Sequence, residues 1–445
     1  MLPKIKKFKN YDTLSFLITA IFFLFIIYIS FFHHLSFTEG DGIFYYNSGK
    51  EILFGNSETI NLPGASVAGP ILHAFLGNLL NDAFTAGKLL SLFGGTGIVF
   101  LSYFITKNLF DKKVALLTQL FFVVNAKLVF LSIMVLNEIM PLFFIFLSLY
   151  FATKKQKNIF DFLLIGIFLG ISFSFRFQSV IVLFSFLIFL VFFERRKILK
   201  IKQSFLTLFS FVIIIIPILL YNFFTYGKFS SETSNMYILV LFKFQTEQWH
   251  REIENIIHDG LVSSFLIDPN LFLKNYFYNL FFHNPDHLFK FSIDTFDTLS
   301  IIPLIPIIGM IPVFGGFLYI TKISITKLQF LLLVSTFSLF FFLILFFGDF
   351  EYHFMLLVLI PFVFLGLNNL EKIPNNIKFL LLFTIIFMGI ISIIPVYKAY
   401  QLFPIWLLFP ALSSLFFIEG IPTIQSKIKQ LIKQLIQYKD VKNET

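Results

Sequence analysis

Acidic residues flanked by glycine and tyrosine form the first candidate site in this sequence. Glu39 and Asp41 lie in the run EGDGIFYY, residues 39–46, directly after a long apolar segment. A carboxylate held at the edge of a bilayer is partly desolvated, which makes it more basic and suits it to general-base catalysis. The simpler interpretation is a solvated loop acid followed by tyrosines at the membrane interface, and spacing alone favours it.

Two further charged residues stand in short turns between apolar segments. Glu138 follows Asn137 in one turn, where it can line the mouth of a cavity or cap the next helix, since acids favour helix N-termini. Arg176 lies between Phe175 and Phe177 and needs an anion, which a carboxylate or a lipid phosphate can supply. Snorkelling to lipid headgroups would also satisfy the guanidinium, but the aromatic setting favours a specific role.

Other signals for chemistry are few. Cysteine is absent, which excludes disulfides, thiolate nucleophiles and Cys-ligated zinc. The run Gly94-Gly95-Thr96-Gly97 lies in an apolar segment without a preceding strand, so it predicts helix packing rather than a phosphate loop. No nucleotide-binding motif is visible, and no set of histidines and acids has the spacing that defines a metal site.

The elements that must position these residues are membrane helices. Of the 445 residues, 57% are hydrophobic and 13% are charged, whereas soluble domains average about 45–50% and 25%. The apolar residues form about twelve runs close to the roughly 20 residues that cross a bilayer, so we predict an all-α polytopic membrane protein. The predicted spans are Leu14–Phe32, Ala86–Thr106, Val114–Phe130, Met140–Ala152, Phe162–Phe175, Val180–Phe193, Phe205–Phe223, Leu299–Ile320, Leu328–Phe347, His353–Leu367, Ile377–Pro395 and Leu402–Ile418.

Two polar segments are too long to be simple connections. They cover residues 33–85 and 225–298 and mix polar with aromatic residues, which predicts two extracytoplasmic loops that carry short interfacial helices. In the second loop, Phe242–Ile257 and Leu271–Phe291 have the amphipathic pattern. The predicted organisation is a transmembrane module over residues 1–230 that includes the first loop, the second loop over 225–298, C-terminal helices over 299–420, and a basic amphipathic tail over 421–445.

Loop charge predicts the orientation. With these spans, about 24 of the 34 Lys and Arg residues fall in loops on one side, together with only about 8 of the 25 acids. Because cytoplasmic loops carry the basic excess, both termini are predicted to be cytoplasmic and the candidate site extracytoplasmic, in a multi-pass plasma-membrane protein. The net charge of +9 then follows from membrane insertion and requires no nucleic-acid partner.

The order of these motifs resembles the GT-C superfamily of integral membrane glycosyltransferases, close to the protein mannosyltransferase and aminoarabinose transferase type. Residues 39–46 are similar to the acidic motif that follows the first span of the family, where the aspartate is catalytic. Residues 62–72 are similar to the proline-containing part of the same loop, and Gly166, Gly170 and Arg176 to a glycine-rich helix that ends in a basic residue. The resemblance covers residues 1–230 well and the remainder in outline.

The resemblance implies an inverting enzyme that moves a sugar, a hexose or a pentose, from a polyprenyl-phosphate carrier to a lipid, glycan or protein acceptor. It implies no certain cofactor; a divalent cation, if one is used, would be held by Asp41 and Glu138. Glu351 stands where many relatives have arginine, a departure that argues against anion binding there and for which His353 would compensate only weakly. The implied catalytic residues are Asp41, Glu39 and Glu138, and the implied substrate-binding residues are Arg176, Tyr45, Tyr46, Tyr352 and His353.

Two other functions remain open at this point. One is a transporter or flippase of lipid-linked sugars, although such proteins place ionisable residues near the bilayer midplane, often in repeated halves. The other is an outer-face transferase of the O-antigen polymerase or ligase kind, which also has a large late outer loop. The early acidic motif and the scarcity of charges within the spans favour the GT-C-like glycosyltransferase over both of these functions.

Overall fold

The computed structural model describes residues 11–32, 39–54, 67–123, 126–135, 139–176, 179–194, 196–226, 265–266, 268–278 and 429–430. Within these ranges the helices are joined by short turns, and there is no strand. The helices of at least eight residues are α1 (Tyr11–Phe32), α2 (Glu39–Phe54), α3 (Ala68–Leu80), α4 (Ala83–Leu109), α5 (Lys112–Val123), α6 (Ala126–Ile133), α7 (Ile139–Thr153), α8 (Ile159–Phe175), α9 (Ser179–Phe193), α10 (Lys197–Tyr226) and α11 (Pro269–Tyr278).

The first seven predicted spans coincide with these helices, with one difference. The span predicted at Val114–Phe130 is divided between α5 and α6. By length and composition, Tyr11–Phe31, Ala83–Leu109 and Lys197–Phe224 are long and apolar enough to cross a membrane. Within the described residues an all-α membrane architecture is therefore confirmed, whereas the count of twelve stays a prediction because the five spans predicted after residue 298 lie outside those residues.

The first predicted loop contains two helices, α2 and α3. In the second loop, α11 covers the beginning of the predicted helix at 271–291, while Phe242–Ile257 lies outside the described residues.

Helices α1 and α4 pack antiparallel, which defines two ends of the bundle. At one end, Asp12 near the start of α1 accepts hydrogen bonds from Tyr103 and Lys107 of α4, both at 2.7 Å. At the other, Lys88 near the start of α4 donates to the carbonyl oxygen of Ser30 in the last turn of α1. We refer to these as the Asp12 end and the Lys88 end.

Small residues on α4 allow its neighbours to approach closely. A methyl group added to Gly95 would overlap the Ser132 side chain of α6, with its carbon 2.7 Å from Ser132 Cβ. Similar additions at Gly94 and Gly97 would press on Ile139 and Phe143 of α7. The glycine run therefore serves helix packing, as the sequence predicts.

Helix α8 is held between α7 and α10. On one side, Ser172 donates its hydroxyl to the Pro141 carbonyl oxygen of α7 at 2.9 Å. On the other, Thr207 of α10 donates to the Phe162 carbonyl oxygen at 3.2 Å, and Gly166 and Gly170 allow α10 to lie close. Because α8 packs against α7 on one face and against α10 on another, its C-terminal end at Phe175 is fixed within the bundle.

Basic residues gather at the Asp12 end. Lys112 of α5 forms an ion pair of 2.8 Å with Asp12, and the turn from α7 to α8 contributes Lys154, which pairs with Asp161 at 2.7 Å. Burial lowers the pKa of Lys157 in that turn to about 8. Asp161 also closes a capping box with Asn158, which fixes the first turn of α8.

Candidate functional site

The acidic motif lies at the start of α2, which packs tightly on α3. Gly49 faces the Pro70 carbonyl, and a side chain there would overlap the backbone. Further along, a methyl group on Gly77 would lie 2.5 Å from Tyr46 Cε2, so glycine provides the space for the Tyr46 ring. These contacts make α2 and α3 a close-packed pair.

The beginning of α2 touches the bundle at Val135, which follows α6. A methyl group on Gly42 would lie 2.7 Å from Val135 Cγ1, and one on Gly87 of α4 would overlap the same side chain. Nearby, Ser91 of α4 donates its hydroxyl to the Met134 carbonyl oxygen. The first turn of α2, which holds Glu39 and Asp41, is thus placed at the Lys88 end.

A buried histidine joins α3 to α4. His73 is 4% exposed, and its Nε2 lies 2.6 Å from the Ala83 carbonyl oxygen at the first residue of α4. The Tyr46 ring packs against the imidazole at a centroid distance of 5.7 Å. Burial lowers the pKa of His73 below its ordinary value of 6.5.

A buried lysine lies at the same end. Lys88 is 7% exposed, and its ammonium lies 4.3 Å from the ring centre of Phe84 and 5.3 Å from that of Phe31. Its Nζ donates to the Ser30 carbonyl oxygen at 2.5 Å, and none of the ion pairs within the described residues involves it. An ammonium has three donors, so this arrangement leaves capacity to bind an anion.

Arg176 forms the C-cap of α8 and is 6% exposed. Its backbone N–H donates to the Ser172 carbonyl oxygen at 2.8 Å, and Ser172 is itself bonded to α7. Next to it, Phe175 stacks on Phe144 of α7 at a centroid distance of 5.8 Å. The predicted substrate-binding arginine is therefore buried at the start of α7 rather than directed to open solvent.

The structure brings part of the predicted site together. Arg176 and the backbone of the acidic motif share the Lys88 end, and Tyr46 packs on His73. The side chains of Glu39 and Asp41 lie outside the described part of the chain, although both residues belong to α2. Three other predicted residues, Glu138, Tyr352 and His353, lie outside it as well. Tyr45 is a half-buried residue of α2.

The divalent cation predicted at Asp41 and Glu138 concerns side chains that lie outside the described residues. In the ranges that the structure describes, no group of three or more His, Asp or Glu residues is placed to hold a metal ion. The weak candidates for a divalent cation, Asp41 with Glu138, have side chains outside those ranges, so this cation stays a prediction.

His73 and Lys88 were not among the candidate residues predicted from the sequence. Gly69, His73 and Gly77 recur every four residues in an outer loop that was predicted to carry short helices, with none assigned to this segment, and all three are buried on one face of α3. That helical spacing of a histidine between two glycines is the signal that could have revealed the contact face. For Lys88, the signal is a lysine at the edge of a long apolar span.

Comparison with known proteins gives both a family match and a fold match. Residues 67–221 match the family described as dolichyl-phosphate-mannose-protein mannosyltransferase. The fold is similar to ArnT from Cupriavidus metallidurans bound to undecaprenyl phosphate, with a TM-score of 0.51 and 11% identity over 93% of this chain and 77% of that one. The apo state of ArnT has the same TM-score and coverage at 12% identity.

A weaker similarity is to the oligosaccharyltransferase AglB from Archaeoglobus fulgidus, with a TM-score of 0.46 and 11% identity over 91% of this chain and 56% of that one. No curated protein matches the sequence significantly. Residues 67–221 of the 445 are thus similar to this mannosyltransferase family, and the fold of the chain is similar to that of ArnT.

The family match covers only part of the candidate site. Residues 67–221 include His73, Lys88, Glu138 and Arg176. The acidic run at residues 39–46 precedes the match, and Tyr352 and His353 follow it. The equivalence of Asp41 to the catalytic aspartate of GT-C enzymes therefore stays a prediction, whereas the family match includes both buried cations of the Lys88 end.

Proposed function

We propose that this chain transfers a sugar from a polyprenyl-phosphate carrier to an acceptor at the Lys88 end of the bundle, on the extracytoplasmic side. The observation that carries the proposal is the pair of buried cations, Lys88 and Arg176, at one end of a helical bundle that matches a membrane mannosyltransferase family. The donor named for that family is dolichyl-phosphate-mannose, and ArnT binds undecaprenyl phosphate. Both carriers are polyprenyl phosphates.

The two cations suit the phosphate of such a carrier. A buried charge in or beside a membrane helix is costly unless an anion accompanies it. The guanidinium of Arg176 can bind two phosphate oxygens at once, while Lys88 offers a compact charge already held by a carbonyl and two aromatic rings. As the bond from the anomeric carbon to the phosphate oxygen breaks, the bonding electron pair moves to the phosphate, whose added charge the cations stabilise.

The acidic motif supplies the base. We infer that Asp41 accepts the proton of the acceptor hydroxyl while the acceptor oxygen bonds to the anomeric carbon from the face opposite the phosphate, which inverts the configuration. Glu39 and Glu138 would line the same cavity, and Tyr45, Tyr46, Tyr352 and His353 would contact the donor or the acceptor. Proton transfer by a positioned side chain typically contributes about 10²–10⁴-fold in rate.

The orientation follows from charge. The Asp12 end carries Lys107, Lys112 and Lys154, and the basic excess of a membrane protein lies in the cytoplasm. We therefore infer that both termini are cytoplasmic and that the Lys88 end is extracytoplasmic.

Turnover of defined donors tests this function. Purified protein in liposomes is supplied with undecaprenyl-phosphate-linked hexoses and pentoses and with membrane lipid and glycan extracts as acceptors, and free undecaprenyl phosphate is measured. Release with the wild type, slowed about 10²–10⁴-fold by Asp41→Asn, supports the proposal. Asp111→Asn, which alters an exposed acid beside α5, is the matched control.

Two results would contradict the proposed function. One is movement of intact donor across the bilayer without sugar transfer, which indicates a transporter. The other is release at the wild-type rate by Asp41→Asn.

A further inference from the structure

We propose that His73 is a positioning residue that fixes the acidic helix α2 against the N-terminal end of α4. The effect of His73 on catalysis rests on the proposed function, whereas its effect on the position of α2 can be tested without that function. It concerns a residue of α3 that lies outside the acidic motif and that contacts both of the helices in question.

The hydrogen bond identifies which ring nitrogen of His73 carries a hydrogen. A backbone carbonyl oxygen can only accept, so the Nε2 of His73 donates its N–H to Ala83 across 2.6 Å. Burial lowers the pKa of the ring, so the ring is neutral at neutral pH. His73 therefore serves at that pH as a neutral donor that ties the middle of α3 to the first residue of α4.

The surrounding residues are small where the ring must fit. A methyl group on Gly87 of α4 would lie 2.9 Å from His73 Nε2, so that face of α4 is open to the ring only because residue 87 is glycine. On its other side the imidazole meets the Tyr46 ring, which occupies the space above Gly77. The contacts run without a break from α4 through His73 to α2.

The same contacts set the position of Asp41. Tyr46 lies five positions after Asp41 on α2, which corresponds to about 7.5 Å along a helix. If α2 lost its support at Tyr46 and tilted by about 10°, Asp41 would move by about 1.3 Å. A misplacement of about 1 Å in a reacting group can cost about 10²-fold in rate.

Three variants separate positioning from simple stability. His73→Gln keeps a side-chain N–H that can reach the Ala83 carbonyl, and His73→Leu removes it at similar volume. Gln119→Leu is the matched control, because Gln119 is a buried amide on α5 whose Nε2 donates to the Ser15 carbonyl oxygen at 3.0 Å, near the Asp12 end. If His73→Leu does not fold, Gly77→Ala, which displaces Tyr46 directly, takes its place.

The first measurement is a distance. Because the chain has no cysteine, Asn47→Cys on α2 and Leu89→Cys on α4 give a clean pair of spin labels at exposed positions. Double electron–electron resonance should show the wild-type distance distribution in His73→Gln and Gln119→Leu, and a shifted or broadened one in His73→Leu or Gly77→Ala. An unchanged distribution in all four would overturn the proposal.

The second measurement is donor turnover. We expect His73→Leu to lower kcat about 10²-fold with little change in the KM for the donor, His73→Gln to restore kcat to within about threefold, and Gln119→Leu to keep it. An equal loss of kcat in Gln119→Leu would also overturn the proposal, since it would show general destabilisation. If the wild type turns over no donor, the proposed function fails while the distance measurement still decides the role of His73.

Discussion

The hydroxyl of Ser172 on α8 donates a 2.9 Å hydrogen bond to the carbonyl oxygen of Pro141 on α7. The carbonyl of Ser172 in turn accepts the backbone N–H of Arg176 at 2.8 Å. One serine thus connects the start of α7 to the buried arginine that ends α8. Because α7 begins at Ile139, this contact places the start of α7 at the same end of the bundle as Arg176.

Replacing Ser172 should make the position of Arg176 less fixed. We expect Ser172→Ala to lower the free energy of unfolding by about 0.5–1 kcal/mol, the usual worth of a hydrogen bond between membrane helices, and to raise the KM for the donor. Thermal melting in detergent and donor turnover measure the two effects. Ser185→Ala is the control, since that buried hydroxyl bonds to Ile181 within α9. Equal effects of both variants on KM would contradict the role given to Ser172.

The contact between α4 and α6 predicts a reciprocal rescue. Gly95→Ala places a methyl group on the Ser132 side chain and should lower the melting temperature strongly, with a cost of about 1–3 kcal/mol, as for other overpacked cores. The double variant Gly95→Ala with Ser132→Gly frees the same space and should recover most of the loss. Additive destabilisation in the double variant would show that the two residues do not meet.

Orientation can be read from single cysteines, since the natural chain has none. Lys155 in the turn between α7 and α8 and Asn78 on α3 are both exposed. A membrane-impermeant maleimide applied to intact cells should label Asn78→Cys and should reach Lys155→Cys only after permeabilisation. The reverse pattern would place the candidate site in the cytoplasm.

Acid should weaken the junction of α3 with α4. Burial lowers the pKa of His73 in the folded state below 6.5, so the unfolded chain binds the proton first as the pH falls. The contribution of a neutral His73 to stability is thus full above about pH 6.5 and is lost as the pH falls from there toward the lower folded pKa. His73→Gln, which cannot titrate, should show a smaller fall in melting temperature between pH 7 and 5, roughly the range that this shift affects. Parallel curves for the two proteins would contradict this assignment.

The sequence predicts the helices better than their contacts. The apolar runs locate α1, α4, α7, α8, α9 and α10 because a bilayer demands long apolar helices regardless of what they pack against. The division of the third span into α5 and α6 falls beside the polar residues Asn125 and Lys127, which are too few to interrupt an otherwise apolar span in a hydropathy pattern. Composition marks the first outer loop as polar and aromatic but does not reveal that α2 and α3 pack through Gly49, Gly77 and Tyr46.

Within the candidate site, the sequence identifies a residue when that residue is energetically costly to bury, but it does not reveal a residue whose role depends on its contacts. Arg176 can be found from the sequence because placing a charged side chain in an apolar, aromatic segment costs free energy. The structure shows that this arginine is buried. His73 costs little to place in a polar loop, so only its hydrogen bond to Ala83 shows its role. The equivalence of Asp41 to a catalytic base depends on motif order and stays a prediction.

The most direct test of sugar transfer at the Lys88 end compares two arginines. Arg176→Gln removes the buried guanidinium at that end, and Arg196→Gln removes an exposed one before α10. In liposomes supplied with a donor that the wild type uses, release of undecaprenyl phosphate should fall about 10²-fold or more in Arg176→Gln, the loss typical of a group that stabilises transition-state charge. Arg196→Gln should keep the wild-type rate. Equal rates in Arg176→Gln and the wild type would contradict phosphate binding at this end of the bundle.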